Sequence, residues 1–214
     1  MSPLRRAALV GAVLVLVCIC AGVSLCLQPY VLPSASMEDT LLPGDRILVE
    51  KLGVRMGGEP KFGEIVVHRY PPNRAETFMK RIVGVPGDRL RLVSKQLYRN
   101  GAAVAEPYVK HLTNYVDDYR DNFPAVPNSI IRMPAGAIEM LRDHVQAGEL
   151  VVPKGKYFVL GDNRDDSLDS RYWGFISKSD IIGRPLLVYL SIEEDSRQLP
   201  PVTKVRWERF FKHL

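Results

Sequence analysis

Residues 7–27 form an unbroken run of 21 residues with no charged side chain and with Ser24 as its only hydroxyl. As a helix rising 1.5 Å per residue, such a run measures roughly 30 Å, the thickness of one bilayer hydrocarbon core. A cleavable leader is the competing reading. Its apolar region is usually only about 7 to 15 residues long, and no convincing small-x-small site follows this one. The run is therefore predicted to be a transmembrane anchor. Arg5 and Arg6 precede it and the next Lys or Arg is Arg46, so residues 1–6 are expected in the cytoplasm and everything after 27 outside it.

All three cysteines, Cys18, Cys20 and Cys26, fall inside the run. The exported part then has no internal disulfide and no thiol nucleophile, and depends on burial and hydrogen bonding for stability. A net charge of +5 comes without a basic helix, zinc spacing or an aromatic-basic platform, so no nucleic acid or metal partner is expected. Contact with anionic lipid headgroups is the simpler use of that charge.

Beyond Pro33 the chain is rich in short Val, Ile and Tyr runs broken by Gly, Pro and Asp, at 46–51, 64–69, 77–85, 89–93, 157–160 and 186–190. These read as strands. Asn100-Gly101 signals a hairpin, because both central residues of a type I′ turn need positive φ. Helical periodicity is weak except at 135–146. The stretch 95–150 is more polar and proline-punctuated, with 122–127 irregular, and reads as an inserted lobe. The expected fold is mostly β: an antiparallel β-sheet catalytic core (28–94 and 151–192), a smaller inserted lobe (95–150), one N-terminal transmembrane helix and a tail (193–214). The tail ends in a basic aromatic pattern, Trp207, Phe210 and Phe211 among Arg206, Arg209, Lys212 and His213, readable as a packed helix or as membrane contact.

Ser36, in Pro33-Ser-Ala-Ser-Met37, stands nine residues after the anchor. Fully stretched, those residues reach about 30 Å, so anything Ser36 attacks lies near the bilayer surface. A serine hydroxyl needs a neighbouring base. The four histidines, His68, His111, His144 and His213, have no Gly-x-Ser-x-Gly elbow to serve. Lysine is the alternative, and it works only when neutral, which requires burial. In Thr77-Phe-Met-Lys-Arg-Ile-Val83, the period of two puts Phe78, Lys80 and Ile82 on one face, apolar apart from one ammonium. From this strand alone, a lysine snorkelling from a sheet edge is the favoured reading.

Three blocks occur in order: Pro33-Ser-Ala-Ser-Met37 with Thr40, Leu41, Gly44 and Asp45; Lys80-Arg-Ile-Val-Gly-Val-Pro-Gly-Asp88; and Gly161-Asp-Asn-Arg-Asp-Asp-Ser-Leu-Asp-Ser-Arg-Tyr-Trp-Gly174. Together they closely resemble the bacterial type I signal peptidases. The resemblance implies a membrane-bound serine endopeptidase with a Ser/Lys dyad and no cofactor, which removes signal peptides from exported preproteins at the outer face of the cytoplasmic membrane. It implies Ser36 as nucleophile, Lys80 as general base, and the Ser36 N–H with the Ser34 hydroxyl as oxyanion donors. It further implies that Ser167 orients Lys80 while Asp162, Asp169 and Arg171 hold the scaffold. Read without it, the third block would be a solvated salt-bridge loop; calcium-loop spacing is absent. The implied substrate is an extended chain, small at the positions one and three before the cut, with Tyr30, Leu32, Pro33, Met37, Leu41 and Phe78 as pocket walls.

One departure stands out. The family usually has Pro just before the Thr40 position, where this chain has Glu38-Asp39, and two carboxylates so close favour the charged form of Lys80. Two other functions compete with the peptidase: an inactive, membrane-anchored module that grips extended peptides, and a tethered esterase that depends on histidine. The combined presence of Ser36, Lys80 and Ser167 favours the peptidase, since a binder has no need of a base.

Overall fold

The computed structural model describes residues 26–125, 133–195 and 202–214, with the isolated positions 5 and 22. The predicted anchor lies outside the described residues except at 22, 26 and 27. Among the described residues no helix is long and apolar enough to cross a membrane. Leu27, read as the end of the anchor, instead opens the first strand and pairs with Glu50.

In chain order the strands are β1 (Leu27–Val31), β2 (Asp45–Glu50), β3 (Ile65–Tyr70), β4 (Asn73–Gly84), β5 (Arg89–Val93), β6 (Gln96–Arg99), β7 (Ala102–Ala103), β8 (Val145–Gln146), β9 (Glu149–Val151), β10 (Lys156–Leu160), β11 (Ile176–Ser177), β12 (Ile181–Asp195), β13 (Val202–Val205) and β14 (Lys212–His213). They form two antiparallel sheets. The larger runs β1-β2-β12-β3-β4-β10-β11, with β13 and β14 also paired to β12; the smaller runs β7-β6-β5-β9-β8.

The middle of the larger sheet is buried on both faces, most fully in β3, where Ile65, Val66, Val67 and His68 are buried in succession. Pairing aligns Val67 with Met79 and Val66 with Lys80. The first pair packs into a cluster with Leu32, Met37, Leu41 and Ile47. On the opposite face Val66 joins Ile82, Tyr157, Val159 and Trp173. Lys80 shares that second face with Phe78 and Ile82, the face expected from the period of two.

The smaller sheet draws on 89–103 and 145–151, bracketing much of the 95–150 stretch. Asn100 (φ 53°) and Gly101 (φ 81°) form the two-residue turn between β6 and β7, as their sequence signals. The helix Ala135–Asp143 buries Ala137 and Met140, and Met140 packs with Phe123, Leu90, Leu150 and Phe158. The tail is not a helix: it forms β13, a 3₁₀ turn at Trp207–Arg209 and β14. It is fixed by Arg209, whose guanidinium donates to both oxygens of the buried Asp45 carboxylate at 2.9 and 2.6 Å.

Candidate active site

Ser36 begins the turn between β1 and β2, and Lys80 lies in β4. The fold brings these residues, 44 positions apart, to a Lys80 Nζ to Ser36 Oγ distance of 2.6 Å. The turn is anchored from beneath by Met37 and Leu41, both wholly buried, and the Leu41 N–H donates to the Met37 carbonyl at 2.8 Å. Both were expected to wall the substrate pocket. They are core side chains instead, because the turn points them inward while raising Ser36 toward the cleft.

Lys80 is 3% exposed. Burial pushes its ammonium down to about 8 from an ordinary 10.5; Asp169, Asp162 and Asp166 oppose the fall and Arg171 adds to it. Desolvation dominates because the surroundings are apolar, with the Phe78 ring centroid 5.6 Å from Nζ. Ser34 Oγ lies 3.2 Å from Ser36 Oγ. His68, also fully buried, is pushed down to about 4, chiefly by burial. Its Nδ1 faces the Arg69 carbonyl at 2.8 Å and its ring lies against Phe78 and Trp173, so it is a neutral core residue.

Apart from the exposed Asp166 and Leu168, the third block is buried or half-buried, not a solvated loop. Asp162 accepts two bonds from Arg81 at 2.8 and 2.6 Å and one from Thr40 Oγ1 at 2.6 Å. Arg171 donates to both Asp169 oxygens at 2.8 and 2.7 Å and to the Arg164 carbonyl at 2.9 Å. Burial alone would raise the Asp169 carboxyl, but Arg171 outweighs it and holds the group below its usual range. Asn163 reaches the Ser36 turn directly, its N–H donating to the Ser36 carbonyl at 3.1 Å and its Nδ2 to that of Ala35 at 3.3 Å. Gly161 is required by close approach: a Cβ there would overlap Ser167 Oγ and the Ser36 carbonyl oxygen.

Ser167 departs from the expectation that it orients Lys80. Its Oγ is buried with no hydrogen-bond partner of good geometry, and what it touches electrostatically is Asp169. Glu38 and Asp39 depart as well. Both turn to Lys110, at 3.3 and 2.9 Å from its Nζ, and the carboxylates acting on Lys80 belong to the third block.

A cleft of about 310 Å³ opens beside Ser36 and Lys80. Of the expected pocket residues, Tyr30, Leu32, Pro33 and Phe78 line it, together with Ser34. Sequence reasoning missed Val31, Val67, Thr77, Met79, Asp166 and Leu168. Thr77 and Met79 were legible as neighbours of Lys80 on one strand, and Asp166 and Leu168 as flanks of Ser167. Val31 and Val67 carried no signal beyond strand propensity. The cleft runs between β1, the edge of the larger sheet, and the first half of β4, beyond the point where β10 pairs with residues 81, 82 and 84. Two strand edges therefore border it.

Among known proteins, the family model described as "Signal peptidase, peptidase S26" matches residues 5–190. A "Signal peptidase I" of Pseudomonas fluorescens is 35% identical over 209 residues, covering 85% of this chain and 72% of that protein. One of Aquifex aeolicus (strain VF5) is 34% identical over 213 residues, covering 84% and 83%. A solved signal peptidase I from Enterococcus faecalis V583 has a TM-score of 0.42 at 30% identity, covering 59% of this chain and 96% of that one. With the family model spanning most of its length and such relatives matching over four-fifths of it, the chain belongs to the signal peptidase family, peptidase S26.

Proposed function

We propose that the chain is a membrane-anchored serine endopeptidase that cleaves signal peptides from exported preproteins after small-x-small sites, with Ser36 as nucleophile and neutral Lys80 as general base. The observation that carries this reading is the 2.6 Å contact between Lys80 Nζ and Ser36 Oγ in a pocket that disfavours the ammonium. Lys80 takes the Ser36 proton as Oγ attacks the scissile carbonyl, then returns it to the leaving amine; a water activated by Lys80 hydrolyses the acyl-enzyme. Positioned proton transfer of this kind contributes about 10²–10⁴ in rate. The Ser36 N–H and Ser34 Oγ stabilise the developing oxyanion, and losing one such donor costs about 3–4 kcal/mol. Asp162, Asp169 and Arg171 hold the third block against the nucleophile's turn, and Ser167 adds a hydroxyl beside Asp169.

The substrate enters as an added strand between the two edges, its backbone supplying affinity and alternate side chains entering pockets. The apolar lining by Leu32, Val67 and Met79 suits small side chains. The apolar run that precedes β1 is the membrane anchor, residues 1–6 face the cytoplasm, and the catalytic part works outside the cytoplasmic membrane on a membrane-bound substrate. Purified full-length protein in detergent, incubated with a preprotein, tests the reading. Cleavage after a small-x-small site is expected to vanish in Ser36→Ala and in Lys80→Ala and to persist when each histidine is replaced. Retained cleavage in Lys80→Ala refutes the dyad, and no cleavage by the wild type favours a peptide-binding module.

A further inference from the structure

The turn that carries Ser36 contains two adjacent carboxylates, Glu38 and Asp39. Each turns to the same cation from the inserted lobe, Lys110 Nζ, at 3.3 and 2.9 Å. Lys110 is itself fixed by its backbone: its N–H donates to the Asp162 carbonyl at 2.9 Å and its carbonyl accepts from the Arg164 N–H at 3.0 Å. This is a short parallel bridge between the lobe and the segment that holds the Ser36 and Thr40 ends of the turn.

The turn that precedes Lys110, closed by the Val109 N–H donating to the Glu106 carbonyl at 3.1 Å, also meets the residues around the third block. Glu106 takes Arg164 at 3.0 and 2.6 Å. Tyr108 stacks its ring 3.8 Å from the Arg81 guanidinium, on the arginine that pairs with Asp162. On the other side of the Ser36 turn the tail supplies Lys212 and Arg209, which donate to the Thr40 carbonyl at 2.8 and 3.1 Å. The charged groups facing Lys80 are Asp162, Asp166, Asp169 and Arg171 from the third block, and neutral His68 is the titratable neighbour from β3.

We propose that Lys110 is a positioning residue for the nucleophile: its ammonium neutralises Glu38 and Asp39 and ties their turn to the 162–164 segment, so that two carboxylates beside Ser36 do not draw the Lys80 amine into its charged form. This rests on Ser36 and Lys80 acting as nucleophile and base. It also gives the lobe a catalytic task. The ion pairs themselves contribute little to stability, since the Asp39 side chain is 76% exposed and solvent screens the attraction. Their effect belongs to the pH dependence of the reaction and not to folding.

The test compares kcat/KM against pH for preprotein cleavage by full-length protein in detergent. The variants are Lys110→Met, which keeps the stem and removes the charge, Lys110→Arg, and Lys110→Met combined with Glu38→Gln and Asp39→Asn. Two uncompensated carboxylates on the turn that carries Ser36 are expected to move the ascending limb of Lys110→Met upward by about half a pH unit, lowering activity near pH 7 about three-fold. Lys110→Arg retains the wild-type limb, and the triple variant returns to it. Tm stays within about 2 °C of wild type throughout. A superimposable Lys110→Met profile overturns the proposal, as does a triple variant no better than the single one, or a Tm loss above about 5 °C, which marks a purely structural residue. Cleavage persisting in Ser36→Ala would overturn the underlying dyad instead, whatever Lys110→Met does.

Discussion

Replacing Lys80 with Met should abolish cleavage and yet make the protein more stable at neutral pH. The folded state holds the Lys80 amine at about 8 against an ordinary 10.5, because burial penalises the ammonium. The sign follows from proton linkage: between those values the unfolded chain binds more protons than the folded one, so stability rises with pH there. Below about 8 the penalty is fully present. At 1.36 kcal/mol per unit it amounts to roughly 3 kcal/mol, an order-of-magnitude figure undiluted by solvent because the side chain is 3% exposed. Methionine has nearly the same length and carries no charge, so it removes the penalty while keeping contact with Phe78. For a chain of this size, 1 kcal/mol shifts Tm by about 2–4 °C, so Lys80→Met is expected to melt about 5 °C or more above wild type at pH 7. The gap should narrow by about 2.5 kcal/mol between pH 7 and pH 10 as the wild-type amine loses its proton. Thermal unfolding of both proteins in the same detergent across that range reads the difference directly. A variant no more stable than wild type at pH 7, with a gap that does not change with pH, would refute the claim that Lys80 is held against its charged form.

Three further outcomes follow from the third block and the buried acids. Gly161→Ala introduces a Cβ that overlaps the Ser36 carbonyl and Ser167 Oγ. In a preprotein cleavage assay it should lower kcat by about ten-fold or more while KM changes little, since small misplacements of reacting groups cost that much. Asp169→Ala leaves the Arg171 guanidinium buried without its carboxylate and should destabilise by about 3–5 kcal/mol in denaturant unfolding. Burial would raise the carboxyls of Asp45, Asp121 and Asp169, but Arg209, Arg120 and Arg171 outweigh it and hold them low. Their stabilisation is therefore complete above the unfolded value of about 4 and lost as pH falls below it, so acid unfolding monitored by circular dichroism should begin there.

The sequence made the strands legible where one physical signal sufficed. Alternation in Asp45–Glu50 and the Asn100-Gly101 turn needed no tertiary information. Lys80 needed more. Its strand pattern could not choose between a snorkelling and an inward lysine, because that depends on Trp173 and Tyr157 closing over the same face from distant parts of the chain. Met37 and Leu41 were misread for a related reason: proximity to the nucleophile in sequence does not say which side of a turn faces the cleft. Glu38 and Asp39 were read as a threat to Lys80, since nothing local announces that a lysine 71 or 72 positions away supplies their counter-charge. The tail resisted a reading because its organising contact, Arg209 with Asp45, spans 164 positions.

The central claim is that an amine kept neutral by burial activates Ser36, and the pH dependence of kcat/KM for preprotein cleavage tests it most directly. The account predicts an ascending limb near pH 8, set by Lys80 and unchanged when His68, His111, His144 and His213 are each replaced. A limb that moves or disappears with any of those histidines, or one that lies near the ordinary lysine value of about 10.4, would contradict it.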